Sequence, residues 1–149
     1  EVVPPMAANR LVIGQIGVDA PLLPGEVNNN TLDIPSDPAE LTLFSDGGQP
    51  CDEKGSVLVA GHVAVRGTHG ALWTLSQIGP NMVARLSCAD GTITTWQAVR
   101  VQVELKANLP AGLGNPAADR RLVVVTCGGP VMADGHYRDN VIVYFEPAD

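Results

Sequence analysis

The feature of this sequence that most constrains its fold is a pair of strand-like segments on either side of Ala89-Asp90-Gly91. NMVARLSC precedes this turn and TITTWQAVRVQVEL follows it, and Asp-Gly between two such segments is a strong signal for a β-hairpin. In the second segment apolar and polar residues alternate with a period of two, which is typical of a half-buried strand. The apolar positions are Val99, Val101, Val103 and Leu105, and the polar positions are Arg100, Gln102 and Glu104. We therefore expect antiparallel β-structure.

The other apolar segments are short and are separated by glycine and proline. RLVIGQIGV predicts a strand from Leu11 to Val18 that breaks at Asp19-Ala20-Pro21, and SVLVAGHV predicts a buried strand from Ser56 to Val63. Residues 24–56 hold too many turn-forming residues for a long helix or a central strand. GALWTLSQIG predicts a short helix from Ala71 to Ile78, and RLVVVT and NVIVYFE predict the last two strands. This spacing indicates an all-β fold, a closed or nearly closed barrel.

Length and charge narrow the class of protein. The chain has 149 residues, the usual size of one domain, so we expect residues 1–149 to form a single domain. Nine basic residues against sixteen acidic ones give a net charge of −7, and the basic residues do not cluster, which excludes a nucleic-acid partner. No segment approaches the ~20 consecutive apolar residues that span a bilayer. Glu1 is a poor natural start, so we expect that an N-terminal segment was trimmed.

Three reactive or charged residues lie beside the predicted strands. VLVAGH closes on His62 and LVVVTC closes on Cys127, whereas Arg138 stands just before the closing strand. Strand ends are positions where a rigid scaffold holds side chains at its rim. If the last two strands are antiparallel neighbours, the connection of ten residues returns Arg138 to the edge that carries Cys127. The three residues would then supply a nucleophile, a proton carrier and an anion stabiliser.

Each of these residues also has an ordinary structural explanation. A lone cysteine is most often a small buried hydrophobe, and a single arginine usually lies in solvent or in an ion pair. Gly128-Gly129 favours a functional role for Cys127, because glycine permits close approach of the backbone to a ligand. A zinc site of Cys127, His62 and a second histidine lacks paired ligand spacing. His69 and His136 lie in glycine-rich loops, where we expect them to be exposed.

In this order and in these settings, the three residues resemble those of the sortases, the cysteine transpeptidases of Gram-positive bacteria. The resemblance rests on GSVLVAGHV, on LVVVTC where the family pattern is Thr-Leu-x-Thr-Cys, and on YRDNVIVYFE. RLVIGQIGVDAPLL resembles the first strand of the family and GALWTLSQIG its short helix, so nearly all of residues 10–147 are covered. Val123 and Val124 depart from the first Thr and the Leu of the cysteine motif. TCGG and HYRDNV are most similar to the class F sortases of actinobacteria.

The resemblance implies an eight-stranded β-barrel with one or two short helices. It also implies that an N-terminal anchor, absent from this chain, holds the domain at the extracytoplasmic face of the cell membrane. The implied enzyme cleaves a Leu-Pro-x-Thr-Gly (LPXTG) sorting signal of secreted surface proteins between Thr and Gly. It transfers the acyl group to an amine of peptidoglycan or of a peptidoglycan precursor, and no cofactor or metal is implied.

The residues that match the family motifs are expected to carry this chemistry. Cys127 is the expected nucleophile, because a thiolate attacks a peptide carbonyl more readily than a hydroxyl does. His62 would donate a proton to the departing amine and later accept one from the incoming amine. Arg138 would hold the oxyanion or position the signal peptide. Thr126 and Gly128-Gly129 are candidate substrate-binding residues.

If Cys127 is the free thiol, Cys51 and Cys88 are the two cysteines left to form a disulfide. Three cysteines fit neither a dense disulfide scaffold nor CxxC metal spacing, so one bridge and one free thiol is the simplest arrangement in an oxidising compartment. A Cys51–Cys88 disulfide is therefore a hypothesis, because the sequence does not show whether the two Cα atoms come within the ~7 Å that a bridge requires.

Two other functions fit the same residues. A cysteine hydrolase would use the same Cys-His-Arg set and release its acyl group to water. A non-catalytic peptide-binding barrel would carry an inert cysteine. An acyl adduct at Cys127 and its capture by an added amine separate the transpeptidase from both.

Overall fold

The structure, a computed structural model, describes residues 6–28, 31–32, 34–106 and 110–148. Its strands are β1 (Arg10–Ile13), β2 (Val18–Gly25), β3 (Val27–Asn28), β4 (Thr31–Leu32), β5 (Leu41–Phe44), β6 (Ser56–Gly61), β7 (Ala64–Val65), β8 (Thr68–His69), β9 (Val83–Ser87), β10 (Ile93–Leu105), β11 (Arg121–Val131) and β12 (Tyr137–Pro147). Short 3-10 helices cover Gly14–Ile16 and Leu75–Gln77. Nowhere in these described ranges is a helix long and apolar enough to cross a bilayer.

Eight strands close into a barrel in the order β1-β2-β5-β6-β11-β12-β10-β9. Neighbours in the barrel are antiparallel except for β2 with β5 and β6 with β11, which run parallel. The expected all-β fold and eight-stranded barrel are therefore confirmed. β3 with β4 and β7 with β8 form separate two-stranded ribbons.

The apolar segments of β6 and β11 are continuous because the sheet is covered on both faces there. One set of their side chains faces the barrel interior with Val143 and Phe145. The alternate set lies on the outer face with Ile142 and Tyr144, where Leu113 also packs. A strand that is buried on both faces needs apolar residues at successive positions. The sequences of β6 and β11 are therefore continuously apolar and do not alternate with polar residues.

The predicted hairpin is confirmed, but its apolar stripe is not the covered face. β9 pairs with β10 only from Ile93 to Gln97, whereas β12 follows β10 from Trp96 to Leu105. The second half of β10 therefore has a barrel neighbour on one side only. Its four apolar side chains are 48% to 57% exposed, and they are Val99, Val101, Val103 and Leu105.

The predicted strand from Leu11 to Val18 is wrong. The segment holds two strands, because the 3-10 turn Gly14–Ile16 and Gly17, at φ 74°, fold β2 back onto β1. A positive φ suits glycine, which has no Cβ to clash. β2 then continues through the predicted break to Gly25, and Pro21 stands at the end of the β1 ladder. Proline is tolerated where no ladder donor is needed.

Three other boundaries differ from the prediction. The predicted helix shrinks to the single 3-10 turn Leu75–Gln77, preceded by non-helical turns. β5 (Leu41–Phe44) lies inside the segment predicted to be loop, where its short length hid it among the glycines and prolines. β11 and β12 are longer than predicted, so half of the ten-residue connection between Cys127 and Arg138 is strand, and the turn 132–136 forms the other half.

Candidate active site

Cys127 and His62 come to the same end of the barrel. The register of the parallel pair β6–β11 runs from Arg121–Ser56 to Val125–Ala60. Continued by two residues, it brings His62, which follows the last residue of β6, opposite Cys127, and neighbouring strands are ~4.8 Å apart. One residue earlier, the buried Thr126 hydroxyl donates a 2.8 Å hydrogen bond to the Gly61 carbonyl oxygen. This bond ties the last residue of β6 to β11 one residue before Cys127, and β11 continues beyond it to Val131.

The half-buried side chain of Cys127 lines a cavity of about 430 Å³. Trp73 and Gln77 form one wall of this cavity, and the ends of β11 and β12, including Tyr137 and Val141, form the other. Its described lining residues carry no formal charge. Cys127 is also the free cysteine among the described residues. His62 and Arg138 belong to the same rim but are not part of the cavity wall.

His62 is held through both its ring and its backbone. Its Nε2 lies 2.9 Å from the Pro35 carbonyl oxygen, and because a carbonyl only accepts, Nε2 carries the proton. Its own carbonyl oxygen accepts a 3.1 Å hydrogen bond from the Leu72 N–H. Gly70 passes so close that a Cβ there would overlap the His62 carbonyl. The ring is therefore oriented, and Nδ1 is the ring nitrogen that this contact leaves free.

Arg138 is the second residue of β12 rather than a loop residue, and its side chain is half exposed. Its Nε donates to Asp139 Oδ1 at 2.8 Å and its Nη2 donates to Oδ2 at 3.1 Å. The hydrogen bond from Arg138 holds the pKa of the Asp139 carboxyl below its ordinary value, and the same bond raises the pKa of Arg138. Within the part of the chain that the structure describes, no hydrogen bond joins His62, Cys127 and Arg138 to one another.

Gly128-Gly129 does not leave open space above the backbone. A Cβ at Gly128 would lie 2.6 Å from a methyl group of Val141, and a Cβ at Gly129 would overlap the Asp139 carboxylate. Gly129 also has φ 74°. The space on the Cβ side of these glycines is thus taken by side chains of β12, whereas both residues line the cavity beside Cys127, and their role in substrate binding stays a prediction.

The two remaining cysteines are paired. Cys51 and Cys88 form a disulfide with their Cα atoms 6.0 Å apart. Among the described residues, the only cluster with metal-ligand geometry is this pair with Asp90, and bridged sulfurs offer no thiolate to a metal.

Sequence reasoning missed three neighbours of the site. Trp73 was read as part of a helix, yet it lines the cavity and stacks on His69, with ring centroids 3.7 Å apart. Asp139 was detectable in principle, because it is a charged residue at an inward position of an apolar strand. Pro35 reaches His62 from 27 residues away through a backbone carbonyl, and no local pattern marks such a contact.

The family model described as the sortase domain matches residues 11–148. A search of curated proteins finds no match.

Solved structures of similar fold include three bacterial enzymes, each under 20% identical to this chain. Sortase A from Corynebacterium diphtheriae aligns with a TM-score of 0.72 and 14% identity, over 98% of this chain and 62% of that one. Sortase E1 from Streptomyces coelicolor, solved with a tripeptide in its active site, aligns with a TM-score of 0.71 and 14% identity, over 94% of this chain and 86% of that one. Sortase C-1 from Actinomyces oris aligns with a TM-score of 0.68 and 18% identity, over 94% and 73%. This chain thus spans less than two thirds of the Corynebacterium protein, and the three likenesses concern the fold.

Proposed function

The chain belongs to the sortase family, and from this premise we propose that it is a cysteine transpeptidase acting on an LPXTG-like sorting signal. It cleaves the signal between Thr and Gly and transfers the acyl group to an amine of peptidoglycan or its precursor. The observation that supports the proposal is the parallel pairing of β6 and β11, extended by the Thr126–Gly61 hydrogen bond, because the next residue on each chain segment is then His62 and the free cysteine Cys127.

In the first half of the proposed reaction the Cys127 thiolate forms a bond to the threonine carbonyl carbon. The carbonyl electron pair moves to oxygen, and donors of the Arg138 guanidinium stabilise that oxyanion. When the carbonyl re-forms, the C–N bond to glycine breaks and protonated His62 donates a proton to the departing amine. The product is a thioester between Cys127 and threonine.

In the second half an amine attacks the thioester carbonyl and His62 accepts the proton that the amine loses. The C–S bond breaks, the new amide leaves, and Cys127 returns to the thiolate. The cavity beside Cys127 supports this half of the proposal because its described lining is uncharged. A neutral amine enters such a cavity more readily than an ammonium ion, which would lose its hydration there.

The proposed site of action is the extracytoplasmic face of the membrane. The Cys51–Cys88 disulfide supports this location, because disulfides persist in oxidising compartments. Membrane anchoring by an N-terminal segment, and the likeness of TCGG and HYRDNV to class F, remain predictions from the sequence.

The intact mass of the protein after incubation with a Leu-Pro-x-Thr-Gly peptide tests the proposal. We expect the wild-type chain to gain the mass of the acyl fragment and to release the glycine-containing fragment, and Cys127→Ala to do neither. Added glycine amide or hydroxylamine should discharge the adduct to the matching amide or hydroxamate. An adduct that yields only free acid despite the added amine would indicate a hydrolase, and the absence of any adduct would indicate a binding protein.

A further inference from the structure

We propose that Asp139 is a positioning residue that orients the guanidinium of Arg138 at the rim beside Cys127. The inference rests on the proposed function, in which Arg138 stabilises the oxyanion. Asp139 makes no contact with substrate in this scheme and acts only through Arg138.

The contact between the two side chains is bidentate. Nε and Nη2 of Arg138 donate to the two carboxylate oxygens of Asp139 at 2.8 and 3.1 Å. A guanidinium has five N–H donors in a rigid fork, so this pair engages one edge and leaves the edge formed by Nη1 and Nη2 for another acceptor. A half-exposed arginine without such a brace would sample many rotamers.

Asp139 stands where the strand otherwise places apolar residues. On the same face of β12, Val141, Val143 and Phe145 are buried, and Asp139 itself is 4% exposed. Among the described residues, Arg138 is the hydrogen-bond partner of this carboxylate. An ion pair with one half-exposed partner typically adds little net stability. Stability alone therefore does not explain a carboxylate at this position.

The backbone opposite Asp139 is shaped to admit the carboxylate. Gly128 pairs with Asp139 across the β11–β12 ladder, and Gly129, at φ 74°, lies so close that a Cβ would overlap Oδ2. Gly128 directly follows Cys127. The Asp139 carboxylate is thus held next to the nucleophile. A small displacement of a positioned donor there alters the rate of the chemical step.

The test compares acylation rates of wild type, Asp139→Asn, Asp139→Glu and the matched control Asp134→Asn. Asp134 lies in the turn of the hairpin that β11 and β12 form, and it is exposed. Its carboxylate pairs with His136 at 3.4 Å and therefore has its partner outside the site. We expect Asp139→Asn to lower the acylation rate by about 10- to 100-fold, because a misplaced group commonly costs up to ~10² in rate. Asp139→Glu, which keeps the charge, should lose less, and Asp134→Asn should stay within twofold of wild type.

A double-mutant cycle with Arg138→Lys separates positioning from a general structural role. If Asp139 acts through Arg138, Asp139→Asn should cost much less in the Arg138→Lys background than in wild type. The same factor in both backgrounds would overturn the inference, as would an Asp139→Asn rate within twofold of wild type or above it. Circular dichroism checks folding, and Asp139→Glu carries the test if Asp139→Asn does not fold. Absence of an acyl adduct in wild type would remove the proposed function and this inference with it, whereas an adduct together with an unaffected Asp139→Asn would remove the inference alone.

Discussion

The two strand pairs that meet at Cys127 hold their polar residues by different means. Between β6 and β11 the register is regular, and the buried Thr126 hydroxyl donates a hydrogen bond to the carbonyl oxygen of Gly61, the last residue of β6. Between β11 and β12 the register shifts after Gly128, and the Arg138 side chain is half exposed and held by a carboxylate. In the parallel pair the paired backbone positions Cys127 and His62, whereas in the antiparallel pair an ion pair positions the side chain of Arg138.

This difference means that the packed strands fix where Cys127 and His62 lie, whereas a single side chain fixes where the Arg138 guanidinium lies. The backbone of Cys127 and His62 can shift only if buried strands shift with it, and a packed interior resists such movement. The guanidinium of Arg138 can turn as soon as its partner is changed. We therefore expect loss of the hydrogen bond between β6 and β11 to act mainly on stability, and changes to the Arg138–Asp139 pair on β12 to act mainly on rate.

The largest effect is expected at the residue shared by both pairs. Cys127→Ala should abolish adduct formation and transfer, because the nucleophile is removed. Its free energy of unfolding should stay within about 0.5 kcal/mol of wild type, as is usual for a partly exposed position. Intact mass and thermal unfolding measure the two quantities, and turnover near wild type would end the assignment of the nucleophile.

Thiol counting on the unfolded, unreduced protein is the control for this variant. Wild type should show one reactive thiol and Cys127→Ala none, because Cys51 and Cys88 are bridged. Three thiols in wild type would contradict the disulfide.

The next largest effect is expected on the β12 side. Arg138→Lys keeps the charge but replaces a planar fork of donors with a compact ammonium group. We expect the acylation rate measured by stopped flow to fall by ~10²–10³-fold, the usual cost of one positioned oxyanion donor. Circular dichroism should remain unchanged. A rate within about threefold of wild type, under ~1 kcal/mol in activation free energy, would mean that Arg138 acts only as a general positive charge.

A smaller effect, on stability, is expected when the hydrogen bond between β11 and β6 is removed. Thr126→Val keeps the volume of the side chain but removes the donor to the Gly61 carbonyl, and loss of a buried hydrogen bond costs about 1–3 kcal/mol. For a chain of this size each kcal/mol lowers Tm by about 2–4 °C. The exposed Thr68→Val serves as the control and should stay within about 0.5 kcal/mol of wild type. Equal Tm values for the two variants would show that the strand ends are not tied by this bond.

The smallest effect is a pH-dependent contribution of the Arg138–Asp139 pair to stability. Because the pKa of Asp139 is lowered in the folded protein, the ionised form is favoured by folding. The contribution should be present above the ordinary aspartate pKa of ~3.9 and should disappear as the pH falls through the lowered value. Chemical denaturation of wild type and Asp139→Asn at pH 7 and near pH 3 measures it. A difference between the two proteins that does not shrink at the lower pH would contradict the ion pair.

The sequence located Cys127, His62 and Arg138 for a local reason. An apolar run that ends in a reactive residue is visible in a few consecutive letters, and it marks where the buried part of a strand stops, although β11 itself continues past Cys127 to Val131. The contacts made by these residues were not visible. Pro35 meets His62 only through the fold, and the burial of Asp139 depends on the two glycines across the ladder.

β10 shows, within a single strand, the same difference between what neighbouring residues determine and what the tertiary structure decides. Its alternation of apolar and polar residues was enough to determine that it is a strand and that a hairpin joins it to β9, because both depend on neighbouring residues and on one turn. Whether its apolar face is buried depends on its neighbours: Val101 and Val103 lie on the same face as Val143 and Val141, but β9 pairs only with the first half of the strand, to Gln97. Val101 and Val103 are consequently about half exposed, although their pattern is that of a buried face. Periodicity is encoded locally, whereas burial is a property of the neighbours that the tertiary structure supplies.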